Sequence, residues 1–263
     1  MDPLVVATFA FVVFLEFAVP LGLGWWIARR FGVSWKIFGY GALFFVLVQV
    51  FHTPLVLVTQ GPLTLYLLEI LQDPTLVLAV LAVYLGLLAG LFEETGRYLV
   101  FRYLFPRRGI SLVRENGLMF GAGWGGIESM IVGGLVFTTL LSYIALTSGE
   151  MAFLPADPAV QQQVAALLAL TPLDILPGLF ERIMTITLHI AWTMMVLASI
   201  VLARPALLML AILWHAAVDA AVVFLGQTSG ILIAEASLFV FAVIGIAYIW
   251  WEWKRLGGHQ AAA

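Results

Sequence analysis

Long apolar runs recur from one end of the chain to the other, separated only by short charged or Pro/Gly-rich breaks. A bilayer core takes roughly 20 apolar residues per helix, so such runs commit a chain to crossing a membrane repeatedly. The breaks delimit seven spans, near 4–28, 37–58, 76–104, 117–147, 177–202, 206–225 and 231–251. An eighth has room only in 148–171, where Pro155, Pro158 and the run Gln161 to Gln163 better suit a short interfacial helix. With 263 residues, 63% of them hydrophobic and 10% charged, and a mean hydropathy of +1.08, no length is left for a domain outside the bilayer. The expected fold is all-α: one integral membrane domain over 1–263, a polytopic transmembrane bundle whose last residues, 256–263 with His259, form a disordered tail. Any chemistry must sit among the helices.

The charges outside the spans alternate. Arg29, Arg30 and Lys36 occupy the first break, Arg107, Arg108 and Arg114 the third, Arg204 the fifth, and Lys254 and Arg255 follow the seventh span. The intervening breaks carry Glu69, Asp73, Glu150, Asp157 and Glu235 but no Lys or Arg. By the positive-inside rule the N-terminus lies outside and the C-terminus in the cytoplasm, across a prokaryotic cell membrane. The run Leu4 to Ala28 lacks a basic leader and is followed by two arginines, so it reads as a retained span, not a signal peptide. A net charge of −3, spread along the chain, offers no surface for nucleic acid. The absence of cysteine excludes disulfides, thiolate ligands and a catalytic thiol. Glycines cluster in the third span, at Gly86 and Gly90, and in the fourth, from Gly117 to Gly126, which predicts that these two helices pack closely.

Against this apolar background the charged and imidazole side chains within the spans stand out. A charge at the bilayer centre costs about 2.5 kcal/mol or more, so each such group needs a partner or a task. Counting helical rise from the loop arginines places Glu93, Glu128, His189, His215 and Asp219 roughly 16–23 Å from the basic belt, in one layer contributed by four spans. His215 and Asp219 are four residues apart and share a helix face, as do Glu93 and Arg97, whereas Glu94 is turned by about 100° from Glu93. Two imidazoles with carboxylates suit Zn²⁺ or a similar ion, and a further glutamate beside such an ion serves as general base in hydrolysis. Glu181 and Arg182 read as an interfacial salt bridge near the far end of the fifth span, away from this layer; Glu16 and His52 have no assignable partner.

The motifs "EETGR" (Glu93 to Arg97), "WGGIE" (Trp124 to Glu128), "ERIMTITLH" ending at His189, and "HAAVD" (His215 to Asp219) occur in separate spans. Together and in this order they resemble the motifs of the YhfC-type intramembrane metalloproteases, relatives of the PrsW and CAAX-protease (CPBP, Abi) families. The resemblance covers 86–224. It implies a membrane-embedded site in which Glu93 activates water while His189, His215, Asp219 and Glu128 bind the metal or orient that water. CAAX proteases have a histidine at the position of Glu128 and an asparagine at that of Asp219, so prenyl-protein processing is not implied.

The expected activity is hydrolysis of a membrane-bound or membrane-proximal polypeptide. Zn²⁺ would be held by His189, His215 and either Asp219 or Glu128. Glu93 or Glu94 is the base, and Arg97 fixes the glutamate pair or stabilises developing negative charge. The competing expectations are a proton- or ion-coupled transporter, a non-catalytic scaffold on the same fold, and a glutamate protease that needs no metal.

Overall fold

The computed structural model describes residues 1–149 and 157–262, so Glu150 and Pro155 lie outside the described residues. Helix α1 spans Pro3–Phe31, α2 Trp35–Leu71 and α3 Pro74–Leu99; α3 runs on through a π-helical segment, Val100–Leu104, into the short α4, Phe105–Arg107. Then come α5 (Arg114–Ser148), α6 (Pro158–Leu168), α7 (Pro172–Val201), α8 (Ala206–Ser229) and α9 (Ile231–Ala262). Among the described residues all regular structure is helical, and seven helices are long and apolar enough to cross a membrane. The remaining helix, α6, has eleven residues and none of them is buried, as befits the expected interfacial segment.

A local rule in the sequence starts several helices. Asp2-Pro3, Asp73-Pro74 and Asp157-Pro158 open α1, α3 and α6, each aspartate accepting from the backbone N–H two residues on. The side-chain oxygen satisfies an orphan donor of the first turn, and proline is tolerated where no intrahelical bond is made. Thr171-Pro172 opens α7, where Asp174 Oδ2 accepts from the Thr171 backbone N–H at 2.8 Å and from its hydroxyl at 2.6 Å.

Two elements run further than the sequence suggests. Helix α2, expected to end near 58, passes through Pro54 and Pro62 to Leu71. The threonine hydroxyls of Thr59 and Thr64 bond the carbonyls of Leu55 and Gln60 at 2.7 Å within the proline-bearing stretch. The expected disordered tail is instead helical to Ala262, with Leu256 wholly buried and Arg114 Nη1 donating to the Trp253 carbonyl at 2.7 Å.

Helix α7 occupies the middle of the bundle, against α5, α9, α1, α8 and α3. The glycine clusters do not join α3 to α5 as expected. A Cβ on Gly86 or Gly90 would lie 2.4 Å from the Ala216 carbonyl oxygen or 2.5 Å from that of Ile212, so α3 lies backbone to backbone on α8. A Cβ on Gly41 or Gly123 would meet the carbonyl oxygens of Phe120 or Phe38 at 2.2 and 2.1 Å, so α5 seats the first half of α2 in the same manner. Packing in lipid relies on such small-residue contacts because apolar burial gives helices little reason to associate there.

Candidate active site

Five of these helices deliver polar side chains to one cavity of about 290 Å³: His52 from α2, Glu93 from α3, Glu128 from α5, Arg182 and His189 from α7, and His215 and Asp219 from α8. Glu93, buried at 5% exposure, is held by donors from three helices. Its Oε1 accepts from Gln49 Nε2 at 3.1 Å, and its Oε2 from Trp124 Nε1 at 2.9 Å and Arg97 Nη2 at 3.3 Å. Glu94, one residue on and so rotated about 100° around the helix, points to α8. There its Oε1 pairs with Arg97 and lies 2.7 Å from His215 Nδ1. Glu93 lines the cavity, whereas Glu94 is sealed from it at 0% exposure.

Arg97 ties these groups together and is itself wholly buried. Its guanidinium lies 4.3 Å from the Trp124 ring centroid and contacts Glu93, Glu94 and, at 2.6 Å, His189 Nδ1. Two carboxylates thus share one guanidinium, which makes their burial in lipid tolerable. His215 is stacked on the Trp192 indole, with centroids 3.9 Å apart and planes within 8°.

The bonds constrain the imidazoles differently. A guanidinium has only donors, so His189 Nδ1 accepts from Arg97, and Nε2 carries the proton it gives to Glu128. His189 therefore has no lone pair left for an ion. His215 differs: its Nδ1 lies against Glu94 and its Nε2 3.5 Å from Asp219 Oδ2, so both ring nitrogens face carboxylates. Among the described residues no three His, Cys, Asp or Glu side chains stand in an arrangement able to hold a metal ion. The four predicted ligands do lie round one cavity, but as arranged they do not fit the group a metalloprotease would carry.

The structure thus gathers all seven residues singled out from sequence. It also corrects one placement. Arg182 is not remote from the polar layer: its Nη1 donates to Glu128 at 3.1 Å, it pairs with Glu181, and both line the cavity. Gln49, Trp124 and Trp192 were missed as parts of the site. Gln49 had a signal, since it forms with His52 and Thr53 a polar stripe at helical spacing in an otherwise apolar run; His52 Nδ1 and Thr53 Oγ1 lie 3.0 and 3.2 Å from its Oε1. Trp124 stands four residues before Glu128, on the same face of α5.

Fold and site together define a seven-span helical membrane protein built round a lipid-buried carboxylate, imidazole and guanidinium centre. The chain belongs to the YhfC intramembrane metalloprotease family, whose family model matches residues 15–243 and so takes in every residue of the cavity. It is 32% identical over 250 residues to the "Uncharacterized membrane protein YhfC" of Bacillus subtilis (strain 168), covering 90% of this chain and 91% of that protein. No solved structure matches it.

Proposed function

We propose that the chain is an intramembrane peptidase acting on a membrane-bound or membrane-proximal polypeptide, with its basic face in the cytoplasm of a prokaryotic cell. The observation that supports this most is Glu93, a carboxylate held by donors from three helices and facing a polar cavity in the middle of the bundle. In this scheme Glu93 takes a proton from a water in the cavity and returns it to the leaving amine, a role worth about 10²–10⁴-fold in rate. Glu94 and Arg97, being sealed off, are positioning residues: Glu94 orients His215 and Arg97 sets the angle between the two glutamates. His215 and Asp219 line the cavity beside Glu93, on the side where a substrate would enter.

The family name carries a metal, and Zn²⁺ is the ion that nitrogen and oxygen donors of this kind suit. His52, whose Nε2 has no hydrogen-bond partner, His215 and Asp219 all line the cavity, but among the described residues no three such side chains stand together as the ligands a catalytic zinc keeps. The steps above accordingly belong to the side chains alone. The occupied lone pairs of His189 favour the glutamate mechanism over one in which His189 is a ligand.

The test is cleavage of a panel of fluorogenic transmembrane peptides in proteoliposomes. Glu93→Gln should abolish turnover while the protein stays folded, and His215→Ala should abolish it with some loss of stability, since it also removes the partner of Glu94. A Glu93→Gln protein that still cleaves would remove the base from this scheme.

A further inference from the structure

A second, larger cavity lies on the lipid side of α2 and α3, toward the basic face. Its volume is about 650 Å³, and its walls are apolar, with Phe44, Val48 and Phe51 from α2 opposite Phe92 and Leu99 from α3. The only polar side chains on it are Thr95, Tyr103 and, at the end of the α3 side, Arg107. The π-helical segment Val100–Leu104 forms part of its wall, and such segments recur at functional sites.

The dimensions select among occupants. From Leu91 to Arg107 the groove runs about 24 Å at 1.5 Å per residue, close to half of a bilayer including its headgroups, about 22 Å. Its volume over that length, with a water radius added on each side, leaves a channel about 9 Å wide, whereas a helix with its side chains needs about 10–12 Å. An extended peptide is excluded for another reason: its backbone N–H and C=O groups would go unpaired against walls offering two hydroxyls and one guanidinium. A single hydrocarbon chain needs no hydrogen bonds and fits the width. The mouth carries Arg107, and the neighbouring residues Arg102 and Arg108 are exposed on the same stretch of chain.

We infer that this groove holds one acyl chain of an anionic phospholipid from the leaflet on the basic face, with its phosphate at Arg107. The deep end of the chain then rests on Phe92, whose ring lies 5.5 Å from that of His52, so the lipid tail ends one residue away from Glu93 on the far side of a two-ring partition. The assignment stands whether or not the neighbouring cavity is a peptidase site.

The experiment uses the full chain in nanodiscs of phosphatidylglycerol and phosphatidylcholine, either lipid carrying a photoactivatable diazirine in the acyl chain, with crosslinks mapped by peptide mass spectrometry. Labelling should concentrate on 44–51 and 91–104, above the lipid-facing strip 239–246 of α9. Phosphatidylglycerol should label the groove more than phosphatidylcholine by about fivefold, the factor one surface arginine supplies toward anionic lipid, and Arg107→Gln should erase that preference. Leu47→Trp with Leu99→Trp, at positions 42% and 49% exposed where the fold is not disturbed, should block groove labelling and leave α9 labelling unchanged. Groove labelling no denser than on α9, or a headgroup preference absent from the wild type or indifferent to Arg107→Gln, would overturn the assignment.

Discussion

Helices α7 and α2 both border the polar cavity, yet 78% of the most apolar window of α7 is buried inside the protein against 11% for α2. α7 touches five other spans and supplies His189 and Arg182 from a fixed position. α2 is seated on α5 only in its first half, through Gly41 and Gly123; beyond Phe51 its inward contacts are with α3, by Thr59 on Tyr84 and by Leu63 and Leu67 on Val77 and Leu81. The cavity therefore has one wall built into the core and one wall exposed to lipid, the latter joined to Glu93 by a single amide, that of Gln49.

The contrast predicts a graded set of responses. On the fixed side, Arg97→Met leaves Glu93 and Glu94 buried without their cation and should cost about 3–5 kcal/mol of stability, read as early unfolding in detergent. On the exposed side, Gln49→Ala removes one hydrogen bond from Glu93 together with those to His52 and Thr53, and should cost no more than about 1.5–3 kcal/mol of stability, less than Arg97→Met. Turnover should fall roughly tenfold to a hundredfold. If Gln49→Ala unfolds the protein instead, α2 belongs with the core. Gly125→Ala would place a Cβ 3.0 Å from the Cβ of His189 and from the Cα of Ile186, and should destabilise the α5–α7 seam by about 1–3 kcal/mol. Gly61→Ala meets nothing within 4 Å and should be neutral or stabilising by up to about 1 kcal/mol. Equal effects at Gly125 and Gly61 in the same unfolding assay would erase the distinction.

Much of this was legible in the sequence, for physical reasons. Lipid demands uninterrupted apolar length, so seven spans could be counted, and the regular helical rise put Glu93, Glu128, His189, His215 and Asp219 at one depth. What stayed hidden depended on direction. Gly86 and Gly90 mark a close approach without naming its partner, which is α8 and not α5. The second span was expected to end near 58, but α2 runs on through Pro54 and Pro62 to Leu71, as transmembrane helices tolerate proline. Arg182 seemed peripheral because α7 was expected from 177; the capped start at Pro172 carries it about 15 Å inward, two turns from His189 on the same face.

The clasp of Arg114 on Trp253 joins residues 139 positions apart, the start of α5 and the last turns of α9. During synthesis the groups around Glu93, all contributed before Phe224, can meet while the ribosome is still making α9. Closure of the bundle must wait until α9 has been made. A nascent chain stalled before α9 is therefore the state in which to look for a centre assembled ahead of its own enclosure.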